Sequence, residues 1–484
     1  MQFIRSLFIF SALFWATSAA ALEYPIGTPA LAAGLAMPVL ANDNAALLAE
    51  MKRLIERVEA LEKQNKEMEK SLTSDRISER EPEVVTRLKA VEFQTLAMQK
   101  QARQIEALEG ISVGASIVGV MQQVGAPHTA DGTAQTRANY RGDISVTLPG
   151  GEMGDTEGRI FTHFRFGQGN GIGLKPTYTS GANTSAFQTG AGADDSFGIL
   201  AQAWYQLHMP IFHNGVKANA REHLDITVGK IDPFVFFDQN IAADDESAKF
   251  LNNAFVHNPL LDSGGDIGAD AYGFAPGAIV QYINEEQKGG EWGLSIGAFG
   301  SGPGANFTGS LNGPFVIAQA NLSTRLNFLP GNYRAYAWTN GRGAGYDGVE
   351  QRHTGIGASV DQQVDDDFTL FGRYGHSTHG RVKFDRALTV GAELSGNSWS
   401  RAADSVGIAY GALRTSAGYR DYAPTMATDP YAASGSEKQA ELYYRYKVNG
   451  NVELSPHVQW IGRPGGNEAA ANVKLFGLRA KVGF

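Results

Sequence analysis

Between Gly110 and Phe484 the chain repeatedly alternates apolar and polar residues, and this period of two is clearest in the last stretch, 473–484. There Phe476, Leu478, Ala480, Val482 and Phe484 fall on one face, and Gly477, Arg479, Lys481 and Gly483 on the other. Successive side chains of a strand point to opposite sides, so the stretch predicts a strand with one apolar and one cationic face. In a soluble sandwich the apolar face would cover a core. In a transmembrane barrel it would face lipid, and the charged face would line a water-filled lumen. A soluble all-β domain explains neither this final strand nor the charged rows that recur upstream. Hydrophobic residues make up 43% of the 484, yet the mean hydropathy is only −0.22. No stretch after residue 21 is long and apolar enough to span as a helix. Alternation hides hydrophobicity from such an average, as a barrel requires.

The same pattern appears along the chain. Ile111, Val113, Ala115 and Ile117 alternate with Ser112, Gly114 and Ser116, and Ile144, Val146 and Leu148 with Asp143, Ser145 and Thr147. Ile160, Thr162, Phe164 and Phe166 oppose Arg159, Phe161, His163 and Arg165. Phe197, Ile199, Ala201, Ala203, Tyr205 and Leu207 form one row against Gln202, Trp204, Gln206 and His208. Further strands are predicted at 292–299, 316–328, 356–362, 368–374, 406–410, 442–448 and 452–460. Asn449-Gly450 predicts a two-residue type I′ hairpin, and 329–332 and 364–367 predict further short turns. Long Gly-, Ser-, Thr- and Asn-rich stretches such as 167–195 and 300–313 lie between hairpins. Short turns alternating with long loops are the asymmetry of an outer-membrane barrel. The expectation is an all-β, antiparallel barrel of about 16 strands, with 18 the alternative, over 110–484. The last strand should close it against the first, near Ile111, which removes both sheet edges.

The N-terminal part is different. Arg5, the apolar run 7–15 and the small residues 16–21 predict a signal peptide over 1–21 and export. Residues 22–44 form an apolar lead-in interrupted by Pro25, Pro29 and Pro38. Over 45–109 a heptad pattern sets Leu47, Leu54, Leu61 and Met68 at d and Met51, Val58, Asn65 and Leu72 at a. Asn65 in such a seam is best satisfied by its counterpart on a partner chain, which fixes register at some cost in stability. The reading is a periplasmic coiled coil that assembles the chain; the seam itself does not decide between dimer and trimer, and a homo-trimer is expected because large outer-membrane barrels of this kind usually form trimers. A net charge of −9 argues against a nucleic-acid partner.

Four stretches resemble the carbohydrate-selective porin family of the OprB type. They are 228–233 with 236–240 and Asp244-Asp245-Glu246; 250–259; Ser400-Arg401-Ala402-Ala403-Asp404-Ser405-Val406-Gly407; and 441–446 with 454–460 and Pro464-Gly465-Gly466-Asn467. The resemblance covers about residue 110 to the end, and the coiled coil departs from the plain barrel members. It implies a passive outer-membrane channel for saccharides or similar small polar solutes, and a segment, Lys230 to Pro259, that folds inward to narrow the pore after a strand ending at 229–232. An aromatic residue closing the last strand, here Phe484, is similar to the signal read by the barrel-assembly machinery. Outer-membrane lipid is the remaining expected partner.

A channel works through the lining of a hole rather than through bond making. Sugars present hydroxyls and apolar ring faces, so amides, Arg and aromatic rings are the groups to seek. Inward spacing selects Arg159, His163, Arg165, Trp204, Gln206, Arg325, Arg373, Arg445, Arg479 and Lys481 as candidate lining residues, with Gln202, Gln319, Asn321 and Lys447 of the same kind. The inward segment adds Lys230, Asp232, Asp238, Asp244 and Glu246, and the third family stretch adds Arg401. Neither Asp244-Asp245-Glu246 nor Asp365-Asp366-Asp367 has EF-hand spacing, and His376 and His379 lack a ligand motif around them. No metal, cofactor or catalytic residue is expected. Without a Gly-x-Ser-x-Gly elbow or any Cys, a membrane hydrolase is the weakest rival. A general or anion-preferring porin, and a structural protein tethered by its coiled coil, are the others.

Overall fold

The computed structural model describes residues 110–484, apart from 127–128, 130–131, 175–176, 179–180, 188–194, 212–220, 263–271 and 303–310, together with ten residues between Lys52 and Glu67. The chain divides into two units, Met1–Leu108 and Glu109–Phe484. In the first, Lys52, Arg53, Glu56, Arg57, Glu59, Ala60, Glu62, Lys63, Lys66 and Glu67 are helical and exposed. These are the outward positions of the heptads. The a and d positions, the signal peptide and the lead-in lie outside the described residues.

The second unit is a barrel. Its strands are β1 (Ser112–Val124), β2 (Gln135–Met153), β3 (Thr156–Gln168), β4 (Phe197–Ile211), β5 (Glu222–Ile231), β6 (Ala275–Asn284), β7 (Gly290–Phe299) and β8 (Phe315–Leu326). They continue as β9 (Leu329–Ala344), β10 (Glu350–Asp365), β11 (Phe368–His379), β12 (Phe384–Ser395), β13 (Ser405–Thr415), β14 (Ser436–Lys447), β15 (Val452–Gly462) and β16 (Val473–Gly483). Each strand pairs with its sequence neighbours, and β16 returns to β1 through Ser116↔Gly483 to Val124↔Leu475, so the sixteen-stranded antiparallel sheet closes. Closure satisfies every ladder, the condition for a sheet in hydrocarbon. Large apolar side chains such as Ile117, Met121, Phe164, Leu294, Ile408 and Phe476 stand exposed on the outer row. Short links join β2–β3, β8–β9 and β10–β11 at one end, and long segments such as 169–196 and 232–274 lie at the other.

Segment 232–262 runs inside the barrel rather than over its rim. Pro233 has no N–H with which to extend the β5 ladder. Asp232 accepts the Phe234 N–H at 3.0 Å and caps a single 3₁₀ turn that redirects the chain. The turn carries Phe236 and Phe237 onto inward-facing Phe299, Phe315, Ile317, Tyr336 and Trp338. Phe250 and Phe255 then pack on Phe371 and Tyr443, and Leu251 packs on Val118 and Val120. The apolar residues of this segment therefore form a core within the lumen.

Three local expectations are corrected. Strand β4 has an irregularity opposite His163 and Phe164, so that Gln202 and Leu200 become their partners. Phe197 and Ile199 consequently leave the outer row: Phe197 stacks on Tyr272 at 5.6 Å, while Leu200 is exposed. A one-residue slip exchanges faces, and no period in the sequence reveals it. Neither Asn449 nor Gly450 takes a positive φ, so the β14–β15 link is not a type I′ turn. Instead the Asn449 side chain accepts N–H groups from Asn451 and Val452, each at 2.9 Å. The two-residue hairpin with both φ positive is Asn327-Phe328, two residues ahead of the expected turn at 329–332.

Candidate functional site: a channel beside the inner segment

The inner segment is pinned to one side of the barrel by charged groups with little or no exposure. Arg373 of β11 donates from Nη1 to the Ala243 and Phe255 carbonyls at 2.6 and 2.8 Å and from Nη2 to the Asp238 carbonyl at 3.1 Å. Its Nε lies 3.1 Å from Asp238 Oδ2, and neither side chain has exposed surface. Asp238 also accepts from Asn258 N–H at 2.6 Å and Tyr336 O–H at 2.7 Å. Glu441 of β14 accepts the backbone N–H groups of Leu251 and Asn252, both at 2.9 Å. Arg479 of β16 donates to the carbonyls of Glu246, Ala248 and Lys249 at 2.6–3.0 Å. Buried charges are tolerated when hydrogen-bonded in this way, and removing one partner leaves the other unpaired.

An open channel of about 1290 Å³ lies between the inner segment and the wall. On the wall, Asp143 of β2 gathers Arg141 Nε at 2.8 Å, His163 Nε2 at 2.8 Å and Arg165 Nε at 2.7 Å. On the segment stand Asp232, Asp244, Asp245, Glu246 and Asp262. Arg141 reaches Glu246 at 2.6 Å, and Lys481 donates to Ser247 Oγ at 2.6 Å with Asp245 3.7 Å away. The lining counts six carboxylates against four Lys or Arg. Aromatic rings stand among these charges. Phe234 stacks on His257 at 3.6 Å, and Phe161 has Trp204 behind it at 4.7 Å.

Protonation on the segment is uneven. Burial pushes Asp232 and Asp244 above the usual carboxylate range, and His257 and Arg373 respectively offset only part of that rise. Burial also opposes ionisation of Glu246 and Asp245, but Arg141 and Lys481 outweigh it and hold both below that range. For His257 burial works against the charge, and the Asp262 partner at 2.9 Å prevails and raises its pKa.

The candidates from the sequence separate into groups. His163, Arg165, Asp232, Asp244, Glu246 and Lys481 line the channel, as does Gln202. Trp204, Gln206 and Arg159 face inward but sit behind or below it, with Gln206 donating to Thr227 Oγ1 at 3.0 Å. Arg325 and Arg445 face inward toward the short-turn end, Arg445 lying 4.0 Å from Glu393. Asp238, Arg373 and Arg479 are pins of the inner segment, a correction to their reading as lining groups. Lys230 shares the outer row of β5 with exposed Val228, and its Nζ donates to the Leu200 carbonyl at 3.1 Å. Arg401 also lies off the lumen. It forks onto Asp404 and stacks at 4.2 Å on Tyr446, a residue of the outer row of β14. Arg141, Asp143, His257, Asp262, Phe161 and Phe234 line the channel without having been among the candidates. Parity with Ile144 and Val146 puts Arg141 and Asp143 inward, the one sequence signal that points to them.

The model of the carbohydrate-selective porin, OprB family, matches residues 160–484. A high-pH structure of Pseudomonas putida OprB is similar at 17% identity over 79% of this chain and 96% of its own, with a TM-score of 0.63. The outer-membrane channel DcaP of Acinetobacter baumannii shows 12% identity over 77% of this chain and 97% of its own, with a TM-score of 0.47. A variant of the Rh. blastica porin shows 12% identity over 77% of this chain and the whole of its own, with a TM-score of 0.41. No curated protein matches in sequence. With two thirds of its length covered by the family model and a closed sixteen-stranded barrel to match, the chain belongs to the carbohydrate-selective porin, OprB family.

Proposed function

We propose that the channel beside the inner segment is the path along which this outer-membrane porin passes saccharides by passive diffusion. The observation that carries this is the pinned segment. Beside it lies an open route whose walls combine fixed hydrogen-bonding groups with ring faces. Asp143 fixes Arg165 through its Nε, leaving the Nη groups of Arg165 for hydroxyl oxygens. Phe234 and Phe161 offer ring faces against which a pyranose can lie. Weak binding at such a site favours entry without preventing exit. The opposed charges of Arg141 and Glu246 already satisfy each other, which suits a neutral solute better than a simple anion. The fold is that of a channel, and we read the protein as without catalytic activity. The test is conductance in planar bilayers with maltodextrins titrated in. Block by maltodextrins and not by organic anions of equal size is expected; absence of conductance would refute the channel.

Three further readings belong with this one. The short-turn end is periplasmic, and the heptads of 45–109 form a coiled coil there that joins three chains. Asn65→Val is expected to change the oligomer distribution of a 42–109 peptide, and a peptide that stays monomeric at high concentration refutes the coiled coil. The last strand, with Phe484, is read by the barrel-assembly machinery.

A further inference from the structure

The inner wall carries a second cluster that the solute path does not use. His208 on β4 and Asp225 on β5 are direct Cα partners, and His223 lies two residues before Asp225 on the same face. All three share the inward row of Gln206 and Thr227, below the channel toward the short-turn end. His208 Nδ1 is 2.7 Å from Asp225 Oδ1, while His223 Nε2 is 3.9 Å from Oδ2. The two imidazoles lie with centroids 4.5 Å apart and planes at 47°. One ligand atom from each residue can be chosen so that all lie within 4.8 Å of one another.

A hydrogen bond to Asp225 accounts for His208. It does not account for His223, whose ring is held beside the same carboxylate at a distance too long for a hydrogen bond. We propose that His208, His223 and Asp225 form a site for a divalent transition-metal ion of the zinc or copper class. Around a tetrahedral ion with bonds of about 2.0–2.1 Å, donor atoms stand about 3.3 Å apart. The donor set spans up to 4.8 Å, wider than that value, so binding requires the side chains to rotate inward around the ion. Two neutral imidazoles and one carboxylate suit Zn²⁺, Cu²⁺ or Ni²⁺ and not Mg²⁺ or Ca²⁺, which take oxygen ligands. Three protein ligands leave a position for water. Glu157 of β3, the Cα partner of His208 on its other side, occupies the register position from which a second carboxylate can approach. The strands fix the three donors in register, so the site is assembled by the barrel and is absent from the unfolded chain.

The test uses the full-length, chelator-stripped protein without a polyhistidine tag. Calorimetry is expected to show one saturable Zn²⁺ per chain, displaced by Cu²⁺ and untouched by millimolar Mg²⁺ or Ca²⁺. Electron paramagnetic resonance of the Cu²⁺ form is expected to show coupling to two nitrogens. His223→Gln should remove one of these couplings and weaken Zn²⁺ binding by at least about tenfold. His376→Asn, remote from the cluster, should change neither. Absence of saturable Zn²⁺ binding by the unmodified protein overturns the proposal. So does copper coupling to fewer than two nitrogens in that protein, a result that does not depend on any variant folding. Unchanged binding and coupling in His223→Gln overturns it too.

Discussion

Arg373 faces inward, as its spacing on β11 requires, yet its side chain has no exposed surface because the inner segment lies over it. Sequence parity gave its direction and could not give its role, since the covering segment begins more than a hundred residues upstream. The same holds for Asp238 and Arg479. Lys230 and Arg401 stand apart from the channel lining for other reasons: strand parity sets one on the outer row, and the other belongs to a short-turn cluster with Asp404 and Tyr446. Arg373→Met removes the only cation paired with Asp238 among the described residues and leaves that carboxylate buried. The expected loss is about 3–5 kcal/mol in unfolding of the detergent-solubilised barrel. If the variant assembles, single-channel conductance should rise, because the segment is released at three carbonyls. Adding Asp238→Asn should recover part of the stability. Equal stability of Arg373→Met and the parent would show that the pair is not a pin.

Strand identity was legible wherever both rows were long, because lipid and lumen impose opposite chemistry on alternate residues. The turns were less legible. Asn449-Gly450 has the composition of a tight hairpin, but the Asn449 side chain supports a wider link. The tight turn is made by Asn327-Phe328, with φ of 52° and 69°. Phenylalanine in this left-handed region crowds its Cβ against the backbone, at a cost of about 1–2 kcal/mol. Phe328 is 91% exposed, so replacing it removes little packing within the chain. Phe328→Gly is therefore expected to stabilise the barrel by about 1 kcal/mol, read as a shifted urea midpoint at constant slope. A lower midpoint would show that the exposed ring has a partner in the assembled protein. At the closing seam, Leu478 of β16 lies on the outer row between its partners Met121 and Pro456. Leu478→Lys sets a charge against lipid near the middle of the strand, at an expected cost of about 2–4 kcal/mol. The folded, heat-modifiable fraction in liposomes measures it. Gly477, its inward neighbour, offers no such contrast because a Cβ there meets the His457 ring and the Met121 carbonyl.

For the whole molecule the decisive fact is that one internal segment converts a wide barrel into a narrow channel with unequal walls. The barrel itself could be read from the alternation. The channel could not, because its lining depends on where 232–262 docks through Glu441, Arg373 and Arg479. Those contacts make its charge a collective property. Six carboxyl side chains stand against four Lys or Arg along the route, which predicts a modest preference for small cations among ions when the carboxyls are ionised. Acidification removes the carboxylates in a definite order. Asp232 and Asp244 have pKa values raised by burial, so they take up protons first, above the ordinary carboxylate range near pH 4. Glu246 and Asp245, held low by Arg141 and Lys481, stay ionised through that step. The His257 pKa is raised by its Asp262 partner, so protonation there adds positive charge to the same route. The sign of each change is the same: the channel loses negative charge or gains positive charge as pH falls. Reversal potentials in a salt gradient should therefore move from cation preference toward anion preference with a midpoint above pH 4. Asp244→Asn should shift the neutral-pH potential in the same direction and shrink the acid step. Maltodextrin block should change less than the ion preference over the same range, because the Phe161–Trp204 stack on the wall does not depend on the two aspartates. A potential that stays constant until well below pH 4 would show that Asp232 and Asp244 do not face the ion path.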